Sequence, residues 1–106
     1  MAKQITFDYE GKEYTLEYTR KSIEAMERQG FVSGELEAKF ATMLPKLIRG
    51  AFAAHHPSLR GDKIDEIYES FTKKSELIAA LAEMYAEPLE TLLSDEGKNG
   101  KWEKSW

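Results

Sequence analysis

Few residues in this chain have chemistry to offer. His55 and His56 are adjacent, and Asp65, Glu66 and Glu69 crowd the stretch KIDEIYES. A zinc-type site needs three or four donors converging on one point, whereas neighbours on a helix point about 100° apart. The chain has two histidines in all and no cysteine, so neither a third imidazole nor a thiolate can complete a site around the pair. We expect His55 buried and hydrogen-bonded, and His56 exposed. The three carboxylates fit a solvated helical face better than acid/base work. No G-x-S-x-G elbow, Walker loop or dinucleotide fingerprint occurs. The chemistry therefore predicts no enzyme, no cofactor and no metal.

The elements that would position side chains are clearer. At 106 residues the chain has the length of one domain. With 42% hydrophobic and 32% charged residues it can form a core and is not a disordered chain. Without cysteine that core has no disulfide support. No run of 18 apolar residues is present, and the opening MAKQITFDYEG lacks the apolar segment of a signal peptide, which predicts no membrane and a cytoplasmic protein. A net charge of -4 argues against nucleic acid as a partner, since that affinity rests on neutralising phosphates. The charge is uneven: nine basic against eight acidic side chains from Met1 to Arg60, but three against eight from Gly61 to Leu93.

The centre of the predicted fold is Thr42 to His56, TMLPKLIRGAFAAHH. Leu44, Leu47, Ile48, Ala51, Phe52 and His55 share one helical face, widened by Met43, Gly50 and Ala54. So narrow a polar strip predicts a helix covered from several sides, with Thr42 as its N-cap and Pro45 in its first turn. Gly50 in mid-helix predicts a close approach by another backbone or a large ring.

Ahead of this helix, QITFDYEGKEYTLEY alternates with period two and predicts a β-hairpin over 3–18, with Glu10-Gly11-Lys12 as its turn. A lone hairpin is marginal in water, so it must pack on the helices or join a sheet edge in another subunit. Thr19 and Gly30 suit the two caps of a helix over 20–29, after which Phe31 and Val32 return to the core. The segment from Ser33 to Ala41 fits a loop or a single helical turn. Beyond Pro57, helices are predicted over 62–71 and 73–93, the second capped by Thr72 and kinked or ended at Pro88. The fold class is thus α+β: an N-terminal hairpin followed by a compact bundle of about four helices over 1–93. A flexible tail over 94–106 carries both tryptophans, Trp102 and Trp106. Each is either a docking point for a partner or a ring folded back on its own domain.

The order of segments resembles a family of tail assembly chaperones from siphophages and prophages of Gram-positive bacteria, the class that includes the lambda G protein. The resemblance lies in FDYEGKEYTLEYTRKSIEAMERQGF, in TMLPKLIRGAFAAHH, in IDEIY and in ELIAALAEMYAEPLETLL. It implies a small cytoplasmic protein of the bacterial host that coats the tape measure protein. The client stays soluble while tail tube protein polymerises around it. It also implies a longer product made by a -1 ribosomal frameshift, for which codons at Gly97-Lys98 and Gly100-Lys101 are candidate slip sites. Self-association suits a chaperone that works in many copies per client. Candidate partner-binding residues are Tyr9, Tyr14, Tyr18, Leu89, Leu92, Leu93, Trp102 and Trp106, with Tyr68 as a further candidate, although most of these aromatics are expected to be core because a domain this small has few other large residues to fill it. The alternative is a structural virion component, such as a tail terminator or head-tail connector subunit. A DNA-binding regulator is disfavoured, because the helix that would read DNA bears Glu76, Glu83, Glu87 and Glu90.

Overall fold

Residues 3–95 and 97–106 are described by a computed structural model. Alternation of apolar and polar side chains gives strands β1, Ile5–Tyr9, and β2, Lys12–Leu16, paired antiparallel with Ile5 opposite Leu16 and Tyr9 opposite Lys12. The turn is two residues long: Glu10 and Gly11 both take positive φ (51° and 81°), the mirror-image geometry whose twist matches that of a hairpin. Lys12 already belongs to β2, one residue earlier than the predicted turn allowed.

Helix α1, Arg20–Arg28, starts at Thr19, whose side chain accepts from the Ser22 N–H while Ser22 Oγ accepts from the Thr19 N–H. At its other end Gly30 (φ 94°) closes a Schellman turn: its N–H donates to the Glu27 carbonyl and the Phe31 N–H donates to the Met26 carbonyl. Phe31 is buried, as expected, but Val32 turns outward into a 3-10 turn, Ser33–Glu35.

Helix α2, Phe40–Ala53, is the central post. Strand β2, helix α1, the 3-10 turn and the later helices all pack on it. Met43, Leu47, Ile48, Ala51 and Phe52 are buried along its length. It starts two residues before the predicted cap, and Thr42 caps nothing: turns from Glu35 wind straight into it, with the Lys39 N–H on the Glu35 carbonyl and the Met43 N–H on the Lys39 carbonyl. Pro45 consequently lies deeper than the first turn, and the carbonyl to which it cannot donate belongs to Ala41, which is exposed.

Helix α3, Gly61–Ser70, buries Ile64 and Ile67. Helix α4, Lys74–Leu92, buries Leu81, Met84 and Tyr85. Thr72 does not cap α4. Phe71 still closes α3 by donating to the Tyr68 carbonyl, so the short link forces Lys73 into the left-handed region (φ 54°) as the N-cap. The Lys74 ammonium then donates to the Glu69 and Phe71 carbonyls, placing a cation where the α3 dipole is negative. Helix α4 also passes through Pro88 and continues to Leu92, so 89–93 is not a separate turn. From Ser94 onward the described residues form neither helix nor strand and are exposed. No helix of the described residues is long and apolar enough to cross a membrane.

Gly50 faces the Met26 thioether rather than a backbone or a ring. A Cβ added there would lie 2.3 Å from Sδ. Two predictions follow from this packing. Leu47→Ala or Phe52→Ala is expected to cost about 2 to 5 kcal/mol in urea unfolding followed by circular dichroism. Gly50→Ala, although it gains roughly 1 kcal/mol in helix propensity, is expected to destabilise because the added methyl overpacks the site. In a Met26→Ala background the same substitution is expected to stabilise, and an unchanged sign in the double-mutant cycle would place the steric conflict elsewhere.

Candidate interaction surface

The hairpin is fastened to α2 along one edge. Wide and narrow pairs alternate in an antiparallel ladder, so every second residue turns its N–H away from the partner strand. Toward the end of β2 those groups find α2 and the turn after it. The Thr15 N–H donates to His56 Nε2 at 3.1 Å, and just beyond the strand the Glu17 N–H donates to the Ala51 carbonyl at 3.0 Å. Glu17 also meets His55 Nε2 at 2.6 Å and accepts from the Gln4 amide.

The histidines are therefore the reverse of the expected pair. His56 is half-buried, 5.0 Å from the Tyr14 ring, and His55 is exposed. The projection that buried His55 assumed a helix to residue 56, but α2 stops at Ala53 and the chain turns before Pro57. To accept from Thr15, His56 Nε2 must be unprotonated. Burial, then the nearby Lys12 and His55 charges, push its pKa down. The hydrogen bond from His55 holds Glu17 below the usual carboxylate range, against burial, with Gln4 helping.

The eight residues singled out as partner-binding divide into three groups. Tyr14 and Tyr18 are core, which corrects their assignment. Tyr14 stacks on Phe7 at 5.5 Å and meets the edge of Phe52. The Tyr18 hydroxyl donates to the Leu47 carbonyl at 2.6 Å, and burial pushes its pKa up. Alternation alone does not say which face of a hairpin the helices cover, and a domain this small uses aromatic side chains to fill its interior.

Tyr9 is half-buried in a polar cluster. Its hydroxyl donates to Glu66 at 2.7 Å, which pushes the Tyr9 pKa up and the Glu66 pKa down. The Lys63 ammonium lies 5.2 Å above the Tyr9 ring and bridges Glu10 and Glu66. Asp65 pairs with Arg49 at 2.6 Å. Asp65 and Glu66, two of the four carboxylates on α3, thus tie that helix to its neighbours. Among the described residues no group of three or more His, Cys, Asp or Glu is placed to hold a metal ion.

Leu92, Leu93, Trp102 and Trp106 remain exposed, whereas Leu89 is half-buried against the core. Leu89 and Leu92 line a shallow groove with Ile23, Arg20, Glu24 and Glu27 between α1 and α4. Leu93 is 87% exposed, Trp102 75% and Trp106 94%, so neither tryptophan folds back on the domain. Sequence reasoning missed a second groove, between α2 and α3, where Phe40, Leu44, Pro45 and Tyr68 lie beside Asp65 and Glu69. Phe40 was unreadable there because the start of α2 was placed after it.

A family model, described as a domain of unknown function and numbered DUF5055, matches residues 1–106. No curated protein and no solved structure matches the chain.

The histidine contacts set the acid sensitivity of the fold. A depressed pKa contributes stability that is complete above the group's ordinary value and is lost as pH falls toward the folded value. The first loss, from His56, is expected to begin below its ordinary 6.5, and a second, from Glu17, below 4.5. His56→Ala is expected to cost about 1 to 3 kcal/mol at neutral pH, because the half-buried Thr15 N–H loses its acceptor, and to remove the first of these steps. Urea midpoints taken from neutral to mildly acid pH check both. A variant that keeps the step would assign it to another group.

Proposed function

The chain belongs to the DUF5055 family, and we propose that it is a non-catalytic phage or prophage tail assembly chaperone. It binds the tape measure protein in the bacterial cytoplasm and keeps it soluble while tail tube protein polymerises. The reading starts from the resemblance in segment order. The observation that carries it is the distribution of exposed apolar side chains. Among the described residues, four of the six exposed large hydrophobics, Leu92, Leu93, Trp102 and Trp106, lie at the end of α4 or after it in the chain, the other two being Val32 and Phe40.

Such an arrangement suits a protein that engages a long, aggregation-prone helical client. Large apolar side chains supply affinity without needing one fixed geometry, and the acid on α3 and α4 keeps coated complexes apart. The two grooves, with Leu89 and Leu92 in one and Phe40 and Tyr68 in the other, offer shallow apolar seats rather than a pocket for a small molecule.

Expressed with its natural downstream DNA and an N-terminal tag, the gene is expected to yield a minor longer product whose peptides continue in the -1 frame. Co-expression is expected to raise the soluble yield of the tape measure protein encoded beside it. Replacing Leu92, Leu93, Trp102 and Trp106 together by serine is expected to cancel that gain while leaving the unfolding free energy from urea titration within about 0.5 kcal/mol of the parent, because these side chains are exposed. Recovery of the short product in purified particles would instead identify a virion component.

A further inference from the structure

The two edges of the hairpin are not equivalent. On β2 the outward N–H of Thr15 is taken by His56, and the Glu17 N–H just beyond the strand is taken by Ala51. Thr6 lies opposite Thr15, and Asp8 lies opposite Glu13, so the same alternation turns the N–H and C=O groups of Thr6 and Asp8 outward from β1. Among the described residues no hydrogen bond reaches those groups from outside the hairpin, and both residues are exposed. At the start of the strand the edge is closed off, where the Lys3 N–H donates to Glu87 and its ammonium pairs with Glu83. Burial shows the same asymmetry: Tyr14 and Leu16 on β2 are buried, whereas Ile5, Phe7 and Tyr9 on β1 are only half-buried.

We propose that the outer edge of β1 is a self-pairing surface, on which a second copy of this chain aligns its own β1 antiparallel about Phe7. The occupant follows from the side chains. In that register Thr6 faces Asp8 of the partner subunit, and each such pair exchanges both backbone hydrogen bonds. Phe7 then faces its own counterpart, and Ile5 faces Tyr9 of the partner subunit, so apolar side chains continue across the junction on one face. Centring the pair on Asp8 would set two carboxylates directly opposite each other, which disfavours it. On the β2 edge of each copy His56 and Ala51 take the N–H groups of Thr15 and Glu17, which leaves Glu13 alone facing outward, too little edge to seat another strand. The assembly closes as a two-fold dimer instead of growing into a fibre.

This inference stands apart from the chaperone reading, since its test uses the isolated chain with no client. Sedimentation velocity over a concentration series is expected to show a monomer–dimer equilibrium. Thr6→Pro removes an outward N–H without touching the ladder to β2, and is expected to leave a monomer with unchanged helical circular dichroism. Thr6→Asp places like charges opposite each other twice and is expected to weaken the dimer about fivefold, while Thr6→Lys is expected to tighten it by a similar factor. A parent chain that is monomeric at every concentration overturns the proposal. So does a folded Thr6→Pro variant that dimerises as the parent does, and so does a pair of charge variants that shift in the same direction.

Discussion

A helix that is apolar on most of its circumference has to be covered on most of its circumference, and nearly every feature of this fold answers that requirement of α2. Met43, Leu47, Ile48, Ala51 and Phe52 leave water only where β2, α1, α3 and α4 are all in place around them. No single neighbour suffices. Coverage of this kind couples the elements: removing one exposes apolar surface on the post that the others share, which favours cooperative unfolding. Several of the hydrogen bonds that α2 and the turn after it make run the same way. The Leu47 and Ala51 carbonyls and the His56 ring all serve the first eighteen residues, so the earliest part of the chain is held by its middle.

Charged side chains then join the outer elements to one another. Lys63 on α3 reaches Glu10 in the hairpin turn and Glu66 on its own helix, Arg49 on α2 reaches Asp65 on α3, and Lys3 reaches Glu83 on α4. Exposed pairs of this sort contribute little individually. Their value lies in register, because all but the Lys63–Glu66 pair tie together separate elements of the fold. Unequal charge along the chain therefore does not leave a bare acidic slab: part of the acid of the second half is matched by basic residues of the first.

Most of the architecture could be read from periodicity. Alternation marked the hairpin, and helical spacing marked all four helices, including the burial of Leu47 and Phe52. The helix ends were less legible. Thr19 and Gly30 behaved as cap chemistry requires, yet Thr42 and Thr72 did not, because α2 grows out of preceding turns and α4 follows α3 too closely for a side-chain cap. The surface was harder still. Tyr9, Tyr14 and Tyr18 alternate alike in sequence, and what separates the wholly buried pair from Tyr9 is the packing of distant segments, α2 and α4 on β2 and the residues after it. The exchange of roles between His55 and His56 has the same origin: a helix ending three residues early rotates every direction projected beyond it. In contrast, the exposure of Trp102 and Trp106 follows from composition, since nothing near them in sequence is apolar enough to shelter a ring.

That separation of aromatic types has an optical consequence. All five tyrosines lie in the folded body and both tryptophans lie after α4. Tryptophan emission, excited selectively, therefore reports only on the segment after the last helix and is nearly blind to the core. A denaturation curve read at that wavelength would stay almost flat while the protein unfolded. Energy transfer from tyrosine to tryptophan makes up for this, since it spans the two regions and turns the unlabelled chain into its own ruler for how far the C-terminal segment stands from the body.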